Sequence, residues 1–424
     1  MSVPYWLLRE ARATMAALRL DADALHALAA RRLAALLADA ERHVPACVAP
    51  IARARAAAAA ADPFAVLAAL APVTKPELRA QGPSALRGGR LEAAWRASAS
   101  SGSTGEPFRV AYDPRAWAVL KVLVKLRARV ACGVRPTDRV AILDAIPVTD
   151  EGRLPLERLG RLRRISVLQP AERVAEALAA FRPQAIYGLP SALLEVAPAL
   201  ARLGGVPGAR GLFTSGELLE VRTRRALEAA YGAPVFDVYG TSETKEIAWE
   251  CRAGGRHVNA DVVHVEVLDE AGRVLPPGEE GDLVVTSLLN RAMPLLRYRT
   301  GDRGALQAGR CTCGLAFPLL GVVTGRRADV LEFEGGLRVS PYALTCALER
   351  VEPLERYQVV QLDRATLRVR ARVPASADRE ATGARIRAAL RSEVSPLLQV
   401  EVEYVDRFAT GARAKFRVVE PLSR

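Results

Sequence analysis

The residues best suited to chemistry lie in short, widely spaced segments. The first is Ser100-Ser101-Gly102-Ser103-Thr104-Gly105, followed by Glu106-Pro107. Small hydroxyl residues interleaved with Gly let backbone N–H groups and side-chain hydroxyls close around phosphate oxygens. No Gly-Lys-Ser/Thr follows, so this is not a Walker A loop, and an ordinary Ser/Gly turn has the same composition. The second is Tyr239-Gly240-Thr241-Ser242-Glu243, directly after the strand-like Val235 to Val238. Strand ends in α/β sheets are where ligands gather. There Glu243 can hold Mg²⁺ and Tyr239 can pack on a flat ligand. A helix start capped by Thr241 or Ser242 accounts for the same residues. The third is Tyr298-Arg299-Thr300-Gly301-Asp302, whose Asp can accept both hydroxyls of a ribose or close a hairpin turn. Gly325-Arg326 follows, then Lys415, which could reach negative charge developing in a cleft.

A second constellation points to a metal. Cys251 and His257 stand near one another in sequence, and Cys311-Thr312-Cys313 lies in a Gly-flanked loop. Three thiolates and one imidazole suit tetrahedral Zn²⁺. The spacing is not that of a C-x₂-C finger, and reduced thiols beside a loop His read as well. His264 is a weaker fourth ligand. Cys47, Cys132 and Cys346 read as buried packing thiols. Tyr112, Trp117, Tyr187 and Phe213 are candidates for lining an acyl pocket or for plain core packing.

These groups need a scaffold, and the pattern supplies one. Residues 5 to about 60 have helical spacing of Leu25, Leu28, Leu33, Leu36 and Leu37. Pro72 and Pro76 place Lys75 in a loop. Helix is expected over Trp117 to Val130. From Val140, strands and helices alternate: strands at Val140–Leu143, Ala185–Tyr187, Gly211–Thr214 and Val235–Tyr239, helices at Ala171–Phe181, Ala192–Leu203 and Val221–Tyr231. That rhythm predicts an α/β layered domain with a parallel sheet. Val262 to Leu268 and Asp282 to Ser287 predict an antiparallel β subdomain, about residues 255–324. A boundary at Gly325-Arg326 separates residues 1–324, with a helical start over 1–90, from a small α+β domain over 325–424.

Composition excludes several classes. The 424 residues are 50% hydrophobic and 25% charged, as in globular proteins. The net charge of +13 favours polyanions. Yet the basic residues are dispersed and aromatics make up only 5%, which argues against a nucleic-acid platform. The most apolar stretch, Ala56 to Leu70, is broken by Asp62-Pro63 and falls short of a membrane span. Charged residues at Arg9, Glu10 and Arg12 disfavour a signal peptide, so cytoplasmic placement is expected.

In order and spacing, these segments resemble the adenylate-forming (acyl-CoA synthetase) superfamily. Within it, the resemblance is to the group of phenylacetate–CoA ligase, CapK and coenzyme F390 synthetase. The matches are Ser100 to Gly105 for the phosphate loop and Ser215-Gly216-Glu217 for the adenine loop. Asp237 to Glu243, Arg297 to Asp302, and the hinge Gly325-Arg326 complete them. The resemblance implies a large N-terminal α/β domain and a small, mobile C-terminal domain. It implies that a carboxylate, aryl or arylacetic, attacks MgATP to give an acyl-adenylate, and that coenzyme A then takes the acyl group. By the same resemblance, Ser101, Gly102, Ser103, Thr104 and Gly105 hold the ATP phosphates. Gly216, Glu217, Asp237, Tyr239 and Gly240 belong to the adenine side. Thr241 contacts the α-phosphate, Glu243 the Mg²⁺, and Asp302 with Arg326 the ribose, while Lys415 assists adenylation. Some relatives carry a similar Cys/His zinc site, which implies structural Zn²⁺ on Cys251, His257, Cys311 and Cys313. A homodimer is compatible with this picture. Three residues depart from the usual pattern: Glu106 after the last loop Gly, Ala328 in the hinge and Ala414 before Lys415. They keep open a retired nucleotide-binding or scaffold protein. The sequence is also compatible with transfer to an amine or carrier thiol, with AMP transfer to a small molecule, and with a zinc-bearing nucleic-acid binder.

Overall fold

A computed structural model describes residues 4–58, 62–87, 95–99, 108–144, 160–326, 330–408 and 416–422. The loop Ser101 to Gly105, with Glu106, Ala328, Ala414 and Lys415, lies outside the described residues, as does the side chain of Arg326. The chain divides into two compact units, Met1–Pro136 with Val238–Val323 and Thr137–Asp237 with Thr324–Arg424.

The first unit begins with the expected helices, Tyr5–Ala16, Ala22–His43 and Pro45–Ala57. The run is not continuous, because Asp21 and Pro45 each begin a new helix. The Asp21 carboxylate accepts from the Ala24 N–H at 2.8 Å, capping the longest of them. Leu33, Leu36 and Leu37 form its buried stripe, packed with Ile51, Leu67, Leu288 and Leu296. The loop expected around Lys75 is instead the first turn of a helix, Lys75–Arg87, kinked at Gly82. A capping box accounts for this: Glu77 Oε2 accepts from the Thr74 N–H and hydroxyl, each at 2.7 Å. Pro76 falls where a helix tolerates Pro, before its N–H is needed.

A second core surrounds the antiparallel strands Val263–Leu268, Gly281–Ser287 and Tyr298–Gly304. Val265, Val285, Leu283 and Tyr298 meet Tyr112, Val119 and Leu120 there. The predicted helix after Trp117 starts earlier, at Pro114, where Asp113 accepts from the Ala116 N–H at 2.8 Å. Asp302 stands inside the strand Tyr298–Gly304 and not at a hairpin turn. The strand Val235–Thr241 returns as Lys245–Glu250 through a tight turn, so the segment after Tyr239 is a hairpin and not a helix start. Gly240 permits it, because a Cβ there would stand 2.5 Å from the Lys245 carbonyl oxygen.

In the second unit, strands Val140–Asp144, Leu162–Ser166, Ala185–Gly188, Gly211–Thr214 and the start of Val235–Thr241 pair in parallel. The helices Ala171–Phe181, Pro190–Arg202 and Val221–Tyr231 supply Leu178, Leu193, Leu200 and Leu227 to a core with Ile186 and Leu212. Four strands within 330–408 and 416–422 form a mixed sheet. Gln399–Tyr404 lies parallel to Thr366–Arg372, which lies antiparallel to Arg356–Gln361, itself parallel to Val419–Glu420. The helices Pro341–Glu349 and Arg379–Glu393 pack Leu344, Leu348, Ile386 and Leu390 over it. Among the described residues, no helix is long and apolar enough to cross a membrane.

Candidate active site and metal centre

The predicted nucleotide residues fall into two groups, one in each unit. In the second unit, the carboxyl ends of adjacent parallel strands carry the loops expected to hold a ligand. Gly211–Thr214 leads into Ser215-Gly216-Glu217, where Gly216 has a φ of 85°. Asp237 lies on the neighbouring strand, directly opposite Thr214, whose hydroxyl donates to its carboxylate at 3.3 Å. Glu217 is held by the next loop along. Its two carboxylate oxygens accept from the Ser191 N–H and hydroxyl, each at 2.9 Å. Ser191, at the start of Pro190–Arg202, carried no signal in the sequence beyond that of a helix N-terminus.

In the first unit, Tyr239, Thr241, Glu243 and Asp302 come together. The Tyr239 hydroxyl donates to Asp302 Oδ2 at 2.8 Å. A strand end and a residue 63 positions later thus share one polar contact. The Thr241 hydroxyl accepts from the Thr244 N–H at 3.0 Å, which fixes the turn. Glu243 is 5% exposed, and the Lys75 ammonium lies 2.6 Å from its Oε1. That carboxylate is therefore aimed at a cation. The Tyr112 hydroxyl donates to the Glu243 carbonyl. Burial raises the Tyr112 pKa well above its usual value, so it stays a neutral donor.

Lys245 is the residue that motif reading missed. It is 5% exposed, with φ of 65°. Its ammonium donates to the Ser98 hydroxyl and, at 2.8 Å, to the Ser242 carbonyl. It lies 4.8 Å from the Tyr112 ring centroid and 5.3 Å from that of Trp117. Burial, with Lys121 beside it, pushes its pKa down to about 7, against the pull of Glu246 and Glu243. Two of the aromatics offered for an acyl pocket, Tyr112 and Trp117, thus wall this lysine. The other two, Tyr187 and Phe213, stack at 4.9 Å within the second unit.

The expected metal ligands converge. The ligand atoms of Cys251, His257, Cys311 and Cys313 all lie within 4.8 Å of one another. Cys251 and Cys311 sulfurs are 3.6 Å apart, and Cys313 Sγ is 3.2 Å from His257 Nε2. Zn–S bonds of about 2.3 Å in a tetrahedron imply sulfur separations of about 3.8 Å, close to the first of these. His257 Nδ1 is 3.3 Å from the Phe317 carbonyl, which leaves Nε2 turned to the thiols. A Cβ on Gly255 would sit 2.6 Å from Cys311 Sγ, so only Gly lets the loop close around the cluster. The donor set and its cradle fit zinc. His264 is elsewhere, its ring 4.9 Å from that of Phe64. Of the packing thiols, Cys132 is buried while Cys47 and Cys346 are only half-buried.

A family model described as AMP-binding enzyme matches residues 159–289. Phenylacetate-coenzyme A ligase of Thermus thermophilus is 31% identical over 320 residues, covering 71% of each chain. The enzyme of that name from Escherichia coli K12 is 29% identical over 306 residues, covering 69% of this chain and 68% of that one. A solved structure of 2-hydroxyisobutyryl-CoA ligase in complex with 2-HIB-AMP has a TM-score of 0.75 at 21% identity, covering 92% of this chain and 88% of that chain. That likeness establishes the fold. Taken with the identity to the Thermus enzyme, it means that the chain belongs to the phenylacetate–coenzyme A ligase family of adenylate-forming enzymes.

Proposed function

We propose that the chain activates an aryl or arylacetic acid with MgATP and passes the acyl group to coenzyme A, using the residues set out above. The observation that carries this is the grouping of Tyr239, Thr241, Glu243 and Asp302 around one hairpin and one strand, in family order. Asp302 takes the ribose hydroxyls, exchanging its bond to Tyr239 for them. Thr241 donates to the α-phosphate. Glu243, whose carboxylate already accepts a cation, holds Mg²⁺, which neutralises phosphate charge. Gly216, Glu217, Asp237 and Gly240 shape the adenine side, and Ser101 to Gly105 the phosphate loop. Lys415 and Arg326 act on the small domain, residues 325–424. This is positioning with electrostatic stabilisation, which suits attack at a phosphorus centre.

Zinc on Cys251, His257, Cys311 and Cys313 is structural in this reading. Four protein ligands close the coordination shell, and the ion ties the Lys245–Glu250 hairpin to the 311–314 loop. All six cysteines are free of disulfides, which supports a reducing, cytoplasmic setting.

The deciding experiment is carboxylate-dependent ATP–pyrophosphate exchange over aryl and aliphatic acids, followed by detection of acyl-CoA. Exchange with an aryl acid, abolished in Glu243→Ala and Lys415→Ala and accompanied by acyl-CoA, is the expected result. Exchange without acyl-CoA overturns the acceptor, and no exchange with any acid overturns the reading as a whole.

A further inference from the structure

The helical start of the first unit holds a space that the nucleotide residues leave unused. A cavity of about 440 Å³ is lined by the helices Pro45–Ala57 and Lys75–Arg87 and by residues within 69–73 and 294–296. Its walls include Ile51, Ala54, Leu70, Leu78, Leu86 and Leu296, all buried. Folded interiors keep few voids larger than a water molecule. An apolar cavity of about 150 Å³ already takes up benzene, and ligand pockets begin at about 300 Å³. Both helices are irregular beside the space. Pro50, inside the first, has no N–H to donate, and Gly82, at a φ of 75°, breaks the second in two. The polar groups are few. Among the described lining residues, Arg53 is the only charged one, Gln81 adds an amide and Cys47 a thiol, and none is a carboxylate. Arg53 and Gln81 are exposed and so belong to the rim, whereas Cys47 is half-buried. Tyr239, Thr241, Glu243 and Asp302 do not line it.

We infer that this cavity is a separate binding site for a carboxylic acid with an apolar body: the chain or ring fills the cavity, and the carboxylate accepts from the Arg53 guanidinium, with the Gln81 amide beside it. Apolar walls favour the body by removing it from water. A guanidinium offers a carboxylate two parallel N–H bonds. One guanidinium and one amide suit a planar monoanion, and a neutral or cationic molecule of the same body loses the rim contact. The site stands apart from the adenylation reading and does not depend on which acid the chain activates.

Cys47 reports occupancy. Burial pushes its thiol up to about 11, so it alkylates slowly, at a rate set by access. The test treats the full chain with N-ethylmaleimide and follows the peptides of Cys47 and of Cys346, the half-buried reference in the second unit, by mass spectrometry. The probes are decanoate and 4-phenylbutyrate, below micelle-forming concentrations, with decan-1-ol as the neutral comparison. Decanoate or 4-phenylbutyrate should slow Cys47 alkylation at least about fivefold and leave Cys346 within about twofold. Whichever acid protects at the lower concentration identifies the body as chain or ring. Decan-1-ol should need about tenfold more for the same protection, and Arg53→Glu should raise the half-protecting concentration of the acid about tenfold. Ala54→Phe fills the cavity and should abolish protection; Arg53→Glu, at an exposed position, keeps the test decisive if that variant does not fold. Unchanged Cys47 alkylation with both acids overturns the site. Equal protection by the alcohol, or an unchanged half-protecting concentration in Arg53→Glu, overturns the carboxylate as its ligand. Arg53→Glu should keep acid-dependent pyrophosphate exchange within about twofold of the parent chain. Exchange lost in that variant alone makes the cavity the substrate's own pocket and overturns a separate site, whereas exchange absent from the parent chain counts against the adenylation reading only.

Discussion

Replacing Lys245 by Met should stabilise the protein at neutral and acidic pH, and the stabilisation should fade as pH rises. An ordinary lysine has a pKa of 10.5, and burial lowers that of Lys245 to about 7. Each pH unit of such a difference is worth about 1.4 kcal/mol. Above pH 10.5 the amine is neutral whether folded or unfolded, and it costs nothing. Between pH 10.5 and about 7 the unfolded chain takes up a proton that the folded chain refuses, so stability is lost steadily as pH falls. Below about 7 both states are charged and the loss stays constant, at about 5 kcal/mol by this arithmetic. Met has nearly the same length and favours contact with aromatic rings such as Tyr112 and Trp117. It leaves the Ser242 carbonyl and Ser98 hydroxyl without their donor, at about 1–3 kcal/mol. The left-handed φ is common to both chains and cancels.

The net expectation is a variant about 2–4 kcal/mol more stable at pH 6. Denaturant unfolding at pH 6, 7, 8 and 9, read by tryptophan fluorescence, measures it. The difference between the two chains isolates one group from all others that titrate. The gap should be flat from pH 6 to 7 and should then shrink by about 1.4 kcal/mol per unit. Parallel profiles for the two chains would falsify the account, because they would mean that Lys245 keeps its proton at pH 9. Because the Lys245 ammonium holds the Ser242 carbonyl beside Glu243, pyrophosphate exchange in the same variant should fall even as stability rises.

Chelation or Cys313→Ser should remove one equivalent of zinc, measured by elemental analysis, and lower the thermal midpoint; unchanged metal content in Cys313→Ser would remove that residue from the ligand set. Tyr239→Phe deletes the hydroxyl on Asp302 Oδ2, and the KM for ATP should change by less than about fivefold, whereas Asp302→Ala should raise it about tenfold or more, because only the second removes the proposed ribose acceptor. Arg297→Met should cost about 3–5 kcal/mol in denaturant unfolding, since it strands the buried Glu266 carboxylate. Gly240→Ala should destabilise the hairpin by at least about 1 kcal/mol, read in the same assay, because its Cβ would meet the Lys245 carbonyl at 2.5 Å.

The elements most legible in the sequence were those with one strong periodicity. Ala171–Phe181, Gly211–Thr214 and Val221–Tyr231 have in the structure the bounds their patterns predict. The misreadings share a cause, which is that local punctuation outweighed capping and pairing. Pro72 and Pro76 suggested a loop, yet Thr74 and Glu77 close a capping box that starts a helix. Thr241 and Ser242 suggested a helix cap, yet the strand partner Lys245–Glu250 claims the segment for a hairpin. Such partners are supplied by tertiary pairing, which short-range patterns do not encode. The metal cluster shows the reverse. Its spacing matched no standard finger and left reduced thiols beside a loop His open, but the family resemblance, added to ligand chemistry, selected four residues that the fold brings within 4.8 Å.

A motif also mixes two kinds of residue that sequence cannot separate. Arg297 to Asp302 reads as one ligand-binding signature, but its arginines are scaffold. Arg297 is 4% exposed, at a φ of 48°. It pairs through both Nε and Nη2 with Glu266 at 3.0 and 2.9 Å, and donates to the carbonyls of Ala68 and Leu70. Arg299 binds Asp282 on the adjacent strand. These bonds fix the strand's register against Gly281–Ser287 and against the helical start, and Asp302 at its far end inherits the position. The same division holds across the hairpin, where Thr241 and Gly240 make the turn and Glu243 presents the charge. A site whose geometry depends on such ion pairs should lose nucleotide affinity when the scaffold arginines are replaced, although their guanidiniums are engaged by Glu266 and Asp282. Residues that only touch ligand should instead change affinity with little effect on stability. Measuring both quantities on each motif residue sorts the signature into its two parts.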